Sequence, residues 1–461
     1  MAWPDRVVRE DDSVLPRLDV VRRLRPFDLL APGALQHPVG TSPLPSLAPY
    51  VAATTTPGSA ALTTSGVAFH LSGHRLAACL DDGSVSLTIS GDVSRTLRSR
   101  RFHRASSPTG LGVTLTGTHV TAWSQEAAGW VARARHDLRD VVDTRDEAAL
   151  ASLLVELPDG GTAGAFGQLG LRDVRFVTEA DGSPLRDGDH LWLTATSAGP
   201  GFFDTAHTSV WRLDPTALEL EPSGDLFFRR PDRPGVFGDH ATHLVRSDGR
   251  WLVATSTWGD FEQPATRAGR RTASGLRVTL AESGSDLLRG THVLDTRELP
   301  LPTDGLASIA TWDPHLVHRG GRWLVGFVSA RRFFDFHPAL AAGESLDDLR
   351  LLGAATDRRA TEGTTILEVG GELVVLASDG RDSHRAQRGR FPVLDLAMRD
   401  VGVLDAAYPT NLPWPTLARV GDDWLMATFN GRPAGGKLLG YGTHGDLVLM
   451  RSGTSAGATL K

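Results

Sequence analysis

The sequence is poor in cysteine, since Cys79 is the only one among 461 residues. A single cysteine cannot form a disulfide within the chain, so folds that depend on disulfides are excluded. Cys79 lies in the apolar run Leu76–Leu80, which predicts a buried small hydrophobic residue and not a nucleophile. Phosphate-binding glycine loops and Cys-x-x-Cys pairs are also missing, so we predict no cofactor and no metal site.

Long apolar runs and long runs of like charge are missing as well. No stretch of about eighteen apolar residues exists, so we predict no contact with a membrane. The first residues lack the apolar region of a signal peptide, which predicts a cytoplasmic protein; a secreted chain that had lost its signal would look the same. The net charge is −6 and no part of the chain is strongly basic, so nucleic acid is not predicted as a partner. Nothing in the sequence predicts an oligomeric state.

The composition is otherwise that of a soluble globular protein, with 41% apolar and 22% charged residues. The 50 glycines and 27 prolines are scattered, which favours many short strands joined by turns. Prolines are frequent in residues 1–60 and rule out a continuous helix there. We expect residues 1–60 to form an extended arm.

Residues 61–160 predict a small antiparallel β-domain that resembles a sandwich. Two alternating segments flank the turn Asp81-Asp82-Gly83, as in a β-hairpin. A helix is predicted for residues 143–157, because Thr144 and Glu147 have the spacing of a capping box. We expect this short helix to link the two halves of the chain.

Residues 161–461 repeat one pattern five times: a strand, a tight turn, and a second strand that is mostly apolar. Such hairpins cannot bury both faces alone, but packing them radially around an axis covers their faces and hides their edges. We therefore predict an all-β fold whose main part is a five-bladed β-propeller. The five predicted strand pairs are residues 173–177 with 190–196, 242–246 with 251–256, 314–318 with 323–327, 365–368 with 372–376, and 415–419 with 424–428.

Acidic residues stand at the start of the first strand in four of the five repeats. They are Asp173, Asp239, Asp313 and Glu362. In a propeller the first strands line the central channel, so the sequence predicts that these side chains gather at one rim. Like charges repel, so packing alone would not favour such a cluster. One carboxyl with a raised pKa and one that stays ionised are the pair that glycoside cleavage requires.

These residues resemble the pattern of the five-bladed glycoside hydrolases, above all family 43, the arabinanases, arabinofuranosidases and β-xylosidases. The resemblance covers residues 165–450 and rests on Asp173, on Trp312-Asp313-Pro314 and on Glu362-Gly363. It implies that Asp173 is the general base, that Asp313 orients the acid, and that Glu362 is the general acid. Asp239 remains an alternative base. The resemblance implies inversion at the anomeric carbon, whereas invertase-like relatives retain, so both outcomes stay open.

Further polar and aromatic residues near the strand starts are candidates for binding the sugar. Histidines and an arginine can hydrogen-bond hydroxyl groups, and tryptophan faces can stack on sugar rings; structural roles are the alternative for each. The predicted substrate-binding residues are Asp239, His240, His243, Trp258, Trp312, His315, Arg331 and Trp414.

Together these observations predict a glycoside hydrolase that acts on a furanoside or a pentose-containing glycan, with a carbohydrate as its partner. Two alternatives use the same fold. One is a propeller that binds carbohydrate without cleaving it. The other is a biosynthetic enzyme that uses the carboxylates for glycosyl transfer or other non-hydrolytic chemistry.

Overall fold

The computed structural model describes residues 15–36, 39–55, 66–92, 94–261, 275–332, 334–434 and 438–453. Strands dominate these ranges and the single α-helix among them is short, which confirms the predicted all-β class. None of the helices in these ranges is long and apolar enough to cross a membrane.

The first part of the chain contains fourteen of the described strands and the helix. They are β1 (Asp19–Leu24), β2 (Asp28–Leu30), β3 (Leu35–Gln36), β4 (Gly40–Pro43), β5 (Tyr50–Thr54), β6 (Val67–Leu71), β7 (His74–Asp81), β8 (Ser84–Ser90), β9 (Arg95–Leu97), β10 (Gly110–Thr116), β11 (His119–Glu126), β12 (Gly129–Asp137), α1 (Glu147–Ala151), β13 (Leu154–Leu157) and β14 (Thr162–Gln168).

Two antiparallel sheets form the N-terminal domain. One has the order β12-β11-β10-β5-β14-β2 and the other the order β4-β13-β6-β7-β8-β9. Their inner faces share one apolar core, to which Phe69 and Leu87 contribute from one sheet and Val113 from the other. This is the packing of a β-sandwich. Cys79 is half-buried on β7 and not fully buried as predicted.

Residues 1–60 are extended where they are described, but they do not form a separate arm as predicted. β2, β4 and β5 are strands of the sandwich sheets, and β1 belongs to a sheet at the other end of the chain. Prolines exclude a helix there, but they do not exclude short strands at sheet edges.

The predicted helix over residues 143–157 is also wrong in its bounds and its cap. α1 spans only Glu147–Ala151, and its N-cap is Asp146, whose carboxylate accepts from the amide of Ala149 at 2.7 Å. Thr144 instead donates its hydroxyl to the carbonyl of Gly117 at 2.8 Å. Because β13 and β14 follow α1 within the sandwich, the helix lies inside the N-terminal domain and does not link the two halves.

The remaining strands follow β14. They are β15 (Leu171–Phe176), β16 (Thr178–Glu179), β17 (Arg186–Asp187), β18 (His190–Ser197), β19 (His207–Asp214), β20 (Glu219–Arg230), β21 (Arg233–Phe237), β22 (His240–Ser247), β23 (Arg250–Ser256), β24 (Val278–Ser283), β25 (Gly290–Asp295), β26 (Arg297–Glu298), β27 (Ala310–Arg319), β28 (Arg322–Arg332), β29 (Asp335–Gly343), β30 (Arg350–Ala354), β31 (Thr361–Val369), β32 (Glu372–Asp379), β33 (Pro392–Leu394), β34 (Asp400–Val403), β35 (Thr416–Val420), β36 (Asp423–Asn430) and β37 (Asp446–Arg451).

These strands form five consecutive sheets, which we number as blades 1 to 5. Their main orders are β15-β18-β19-β20, β22-β23-β24-β26, β27-β28-β29-β30, β31-β32-β33-β34 and β35-β36-β37-β1. Each of the five hairpins predicted from the sequence is the first pair of strands in one blade. The glycine-bearing turns identify these pairs because the hairpins are local in sequence.

The blades form a closed ring, because each one shares an apolar core with the next and the last shares one with the first. Residues of neighbouring blades that belong to the same core are, in ring order, Leu226 and Leu244, Val245 and Leu316, Val317 and Ile366, Val374 and Leu417, and Ala418 and Leu193. The N-terminal strand β1 pairs with β37 and supplies the outer strand of blade 5, so the two ends of the described chain meet in one sheet. This ring of sheets is a β-propeller.

Candidate active site

A β-bulge interrupts the first strand of blades 1 to 4 at the same place. The pairing register shifts just before Arg175, His243, His315 and Thr365, respectively. In each bulge one residue has a positive φ: Asp173 (51°), Ala241 (62°), Asp313 (56°) and Gly363 (75°). Such bulges redirect side chains, and aspartate and glycine tolerate this conformation better than most residues.

The four acidic residues do not occupy equivalent positions in their bulges, so the predicted equivalence is wrong. Asp173 and Asp313 occupy the positive-φ position, whereas Glu362 stands one residue before it, where the other blades have Arg172, His240 and Trp312. Asp239 stands two residues before it. Asp173 and Asp313 therefore occupy equivalent positions in their blades, and Glu362 occupies the preceding position in blade 4.

Asp173, Asp313 and Glu362 all line one cavity of about 250 Å³ at the centre of the ring. Asp173 and Glu362 expose part of their surface to it, whereas Asp313 is only 1% exposed. Nine of the eighteen lining residues are Phe, Trp or Tyr, so the three carboxyl groups face a largely apolar enclosure. Such an enclosure strengthens electrostatic interactions among the groups inside it.

Glu362 has the surroundings of a general acid. Its hydrogen bond comes from the indole N–H of Trp312, which donates to Oε2 at 3.2 Å. Burial, followed by the negative charge of Asp173, raises the pKa of Glu362 to about 8. Glu362 therefore holds a proton at neutral pH, as a group that protonates a leaving oxygen must.

Asp173 has surroundings that favour its ionised form more than those of Glu362. The guanidinium Nε of Arg172 lies 3.4 Å from Oδ2 of Asp173, and Arg172 is completely buried. Burial raises the pKa of Asp173, while Arg172, a hydrogen bond from Thr196 and the charge of Arg175 oppose that rise. The two carboxyl groups lie in one cavity, but Asp173 has a positively charged neighbour and Glu362 has a neutral one. This difference favours Glu362 as the protonated acid and Asp173 as the ionised base.

Asp313 lines the cavity but is almost completely buried. Burial, and then the charges of Glu362 and Asp173, raise its pKa well above the usual range, against the attraction of Arg175. Its Oδ2 accepts from the amide of Gly363 at 3.3 Å. Asp313 therefore fixes the backbone next to Glu362. Like charges in one buried cluster disfavour the ionisation of all three carboxyl groups, and Arg172, which pairs with Asp173, favours the charge on Asp173.

Four of the predicted binding residues line the cavity: His240, Trp258, Trp312 and Trp414. The Nδ1 of His240 donates to the carbonyl of Gly238 at 3.0 Å, and burial lowers the pKa of His240 well below its usual value. Its Nε2 is buried and has no protein partner among the described residues, and His240 lines the cavity. A sugar hydroxyl could donate to this atom.

The other four predicted binding residues lie outside the cavity. His243 and His315 stack on each other with ring centroids 4.0 Å apart, and their Nδ1 atoms accept from the amides of Leu316 and Ile366. Arg331 forms an ion pair with Asp335 at 2.9 Å. These residues stabilise the blades. In the described part of the chain, no group of three or more His, Cys, Asp or Glu side chains is arranged to hold a metal ion.

Asp239, the alternative base, is bound in an ion pair away from the cavity. Its carboxylate is 0% exposed and accepts from Arg230 Nε at 2.8 Å and from the amide of Gly259 at 2.9 Å. Every described contact of Asp239 is with protein, so it is not placed to activate a water in the cavity.

Replacing Asp239 by Asn should destabilise the fold by about 1–3 kcal/mol, because the buried Arg230 loses one of its two carboxylate partners and keeps only Asp260. The acidic limb of the activity profile should not move. Thermal unfolding and the pH dependence of kcat test this, with Asp232→Asn as a control, because Asp232 pairs with Arg233 at the surface. A shifted acidic limb without loss of stability would restore Asp239 as the base.

Eleven of the cavity's lining residues are not among the predicted site residues. They are Phe202, Phe203, Ala241, Phe334, Phe336, Arg381, Asn411, Leu412, Phe429, Tyr441 and His444. Most come from loops between strands and not from the first strands. The consecutive aromatic residues Phe202 and Phe203, placed directly after a predicted apolar strand, are a signal that could have identified one of these loops.

No family model matches the sequence, and no curated protein matches it. Solved structures do show similarity. The chain is 11% identical to Zg3597, a family 117 glycoside hydrolase of the marine bacterium Zobellia galactanivorans, over 62% of this chain and 91% of that one, with a TM-score of 0.41. It is 14% identical to a GH43_1 enzyme from Xanthomonas citri, over 59% and 86%, with a TM-score of 0.39.

An inulosucrase from Halalkalicoccus jeotgali bound to kestose is 14% identical, over 62% of this chain and 85% of that one, with a TM-score of 0.45. The resemblance to glycoside hydrolases that the sequence predicts is thus found again as a structural similarity.

Proposed function

We propose that this protein is a glycoside hydrolase that cleaves a terminal furanose or pentose unit with Glu362 as general acid and Asp173 as general base. The observation that carries the proposal is the pair itself: both carboxyl groups line one cavity, and their neighbours differ in charge. Arg172 lies beside Asp173, whereas Glu362 has only the neutral indole of Trp312 as its hydrogen-bond partner. The furanose or pentose preference rests on the resemblance to family 43.

The mechanism follows from these protonation states. Glu362 donates its proton to the glycosidic oxygen as the bond to the anomeric carbon breaks. Asp173 accepts a proton from a water molecule, whose oxygen forms the new bond to that carbon. Asp313 positions Glu362 through the amide of Gly363. Inversion is the outcome expected when Asp173 acts on water, and NMR of the first product anomer released measures it.

The size of the cavity supports the release of one sugar at a time. Its volume of about 250 Å³ lies below the roughly 300–1,000 Å³ of pockets that enclose drug-sized ligands. One sugar unit fits such a space better than several consecutive units do. The leaving group then lies at the mouth of the cavity.

The pH dependence should report both groups. Because Glu362 must be protonated, kcat/KM should fall as the pH rises through about 8. Because Asp173 must be ionised, kcat/KM should also fall in acid as the pH drops through the pKa of Asp173. A profile from about pH 4 to about pH 10 with an aryl glycoside measures both limbs. An activity that keeps rising above the pKa of Glu362 would contradict its role as the acid.

A further inference from the structure

Three loops form one continuous aromatic wall on the cavity. Wall loop 1 (residues 199–206) contributes Phe202 and Phe203, wall loop 2 (residues 257–261) contributes Trp258, and wall loop 3 (residues 438–445) contributes Tyr441. The ring of Phe203 lies 4.8 Å from that of Trp258 and 6.0 Å from that of Tyr441. The loops therefore contact one another through their aromatic side chains.

Each wall loop receives a hydrogen bond from an arginine of the N-terminal 170 residues. Arg135 Nη1 donates to the carbonyl of Pro200 in wall loop 1 at 2.9 Å. Arg145 Nη2 donates to the carbonyl of Gly259 in wall loop 2 at 2.8 Å. Arg25 Nη1 donates to the carbonyl of Thr443 in wall loop 3 at 3.1 Å. The N-terminal 170 residues thus supply one arginine donor to each loop. Propeller arginines add others, since Arg172 Nη1 donates to the carbonyl of Gly442 in wall loop 3 and Arg230 Nη1 donates to Asp260 in wall loop 2, each at 2.8 Å.

Other contacts tighten this attachment. The hydroxyl of Tyr50 donates to the carbonyl of Ala206 at 2.7 Å. Gly117 lies so close to wall loop 1 that a Cβ there would come within 2.3 Å of the carbonyl oxygen of Asp204. The amide of Gly442 donates to the carbonyl of Gly201 at 2.9 Å, which joins wall loops 1 and 3. The backbone of the loops thus follows the surface of the N-terminal domain.

The aromatic wall is apolar and half-buried where it borders the cavity, while the exposed Arg381 and the half-buried Asn411 line the cavity beside it. Phe202 and Phe203 are only half-buried, and Phe334 and Leu412 lie at the mouth with similar exposure. Half-exposed aromatic side chains around a cavity bind ligands that have an apolar face. When the cleaved sugar occupies the cavity beside Asp173 and Glu362, the leaving group contacts this mouth.

We propose that the wall loops bind an apolar, aromatic leaving group. The N-terminal domain positions wall loops 1 and 2 through Arg135 and Arg145, and Arg25, which follows the outer strand β1 of blade 5, positions wall loop 3. This inference rests on the proposed function for the identity of the ligand, but not for the positioning. It assigns the sandwich domain a role in the active site. The three arginines are positioning residues, because they act through the loop backbone and do not line the cavity.

Amide hydrogen exchange tests the positioning without any substrate. Arg135→Ala should speed exchange in wall loop 1, and Arg145→Ala should speed it in wall loop 2, each by about tenfold or more, as expected when a hydrogen bond from a charged group is lost. Arg229→Ala is the matched control. Arg229 forms an ion pair with Glu147 of the N-terminal domain, and its other hydrogen bonds among the described residues, apart from those of strand pairing, are with Asp295 and Thr296, outside the wall loops. Exchange that is unchanged in both variants, or equally changed in the control, would overturn the positioning role.

Kinetics with two substrates test the ligand class. One substrate carries an aryl leaving group, and the other carries a second sugar on the same terminal unit. Wild type should have the lower KM for the aryl substrate. Arg135→Ala and Arg145→Ala should raise that KM by about tenfold while changing kcat and the KM of the sugar substrate far less. Equal changes for both substrates, or a wild type without preference, would overturn the apolar leaving-group site. A wild type that cleaves neither substrate contradicts the proposed function, while the exchange experiment still decides the positioning.

Discussion

Replacing Glu362 by Gln should slow the hydrolysis of substrates with poor leaving groups by about 10²–10⁴-fold. Gln keeps the size of the side chain but cannot donate a proton to the glycosidic oxygen. Glycosides of strongly acidic phenols need no such proton, so their cleavage should slow much less. A plot of kcat against the pKa of the leaving phenol measures this difference and should be steeper for the variant than for wild type.

Two controls separate this effect from damage to the fold. Glu368→Gln changes an exposed residue of the same strand, β31, and should leave the rates unchanged. Glu362→Gln itself should be at least as stable as wild type at neutral pH. The raised pKa of Glu362 disfavours folding once the pH exceeds the ordinary value of 4.5, and the neutral Gln lacks this penalty. An equal loss of rate for good and poor leaving groups would contradict the assignment of the acid.

Replacing Asp173 by Asn should lower kcat by about 10²–10⁴-fold for every substrate, whatever its leaving group. Asp173 acts on water, so the acidity of the leaving phenol does not relieve the loss. Asn also tolerates the positive φ of 51° at this position, so the bulge should survive the change. The measurement is kcat for the same phenol series, together with thermal unfolding.

The matched control is Asp187→Asn, which changes an exposed aspartate of blade 1 that pairs with Arg289 at the surface. It should not change the rate. An Asp173→Asn variant that keeps its activity would show that another group activates the water, and it would refute the assignment of charge that we base on Arg172.

The hairpins of the five blades could be predicted from the sequence because each is a local feature. A glycine-bearing turn and two apolar strands suffice to identify β22 with β23 or β27 with β28. The outer strand of blade 5 could not be predicted in this way. β1 pairs with β37, so more than four hundred residues separate the partners, and nothing in residues 19–24 indicates that pairing.

The candidate site was predicted in part, for a similar reason. Asp173, Asp313 and Glu362 lie in one cavity as expected from their places at the strand starts. Their register did not follow from the repeat, because the sequence does not show where the bulge falls, and Glu362 stands one residue before the bulge position that the two aspartates occupy. Asp239 and His243 stand two residues before and two residues after Ala241, the positive-φ residue of their bulge, and neither lines the cavity.

The wall loops illustrate what a local pattern cannot show. Their conformation depends on donors that are distant in sequence, such as Arg145 for Gly259 and Arg25 for Thr443. No periodicity connects these residues. The predicted cytoplasmic location and the absence of a nucleic-acid partner stay predictions.

An activity screen tests whether this protein cleaves glycosides with Glu362 as the general acid. Aryl arabinofuranosides, xylosides and galactofuranosides, with fructosides beside them, are incubated with wild type and with Glu362→Gln at a pH below the pKa of Glu362. The account predicts that wild type releases a monosaccharide from at least one substrate and that the variant releases far less from the poor leaving group of that series. No release by wild type from any of them, with the sugars still bound, would contradict the claim and favour a propeller that binds carbohydrate without cleaving it.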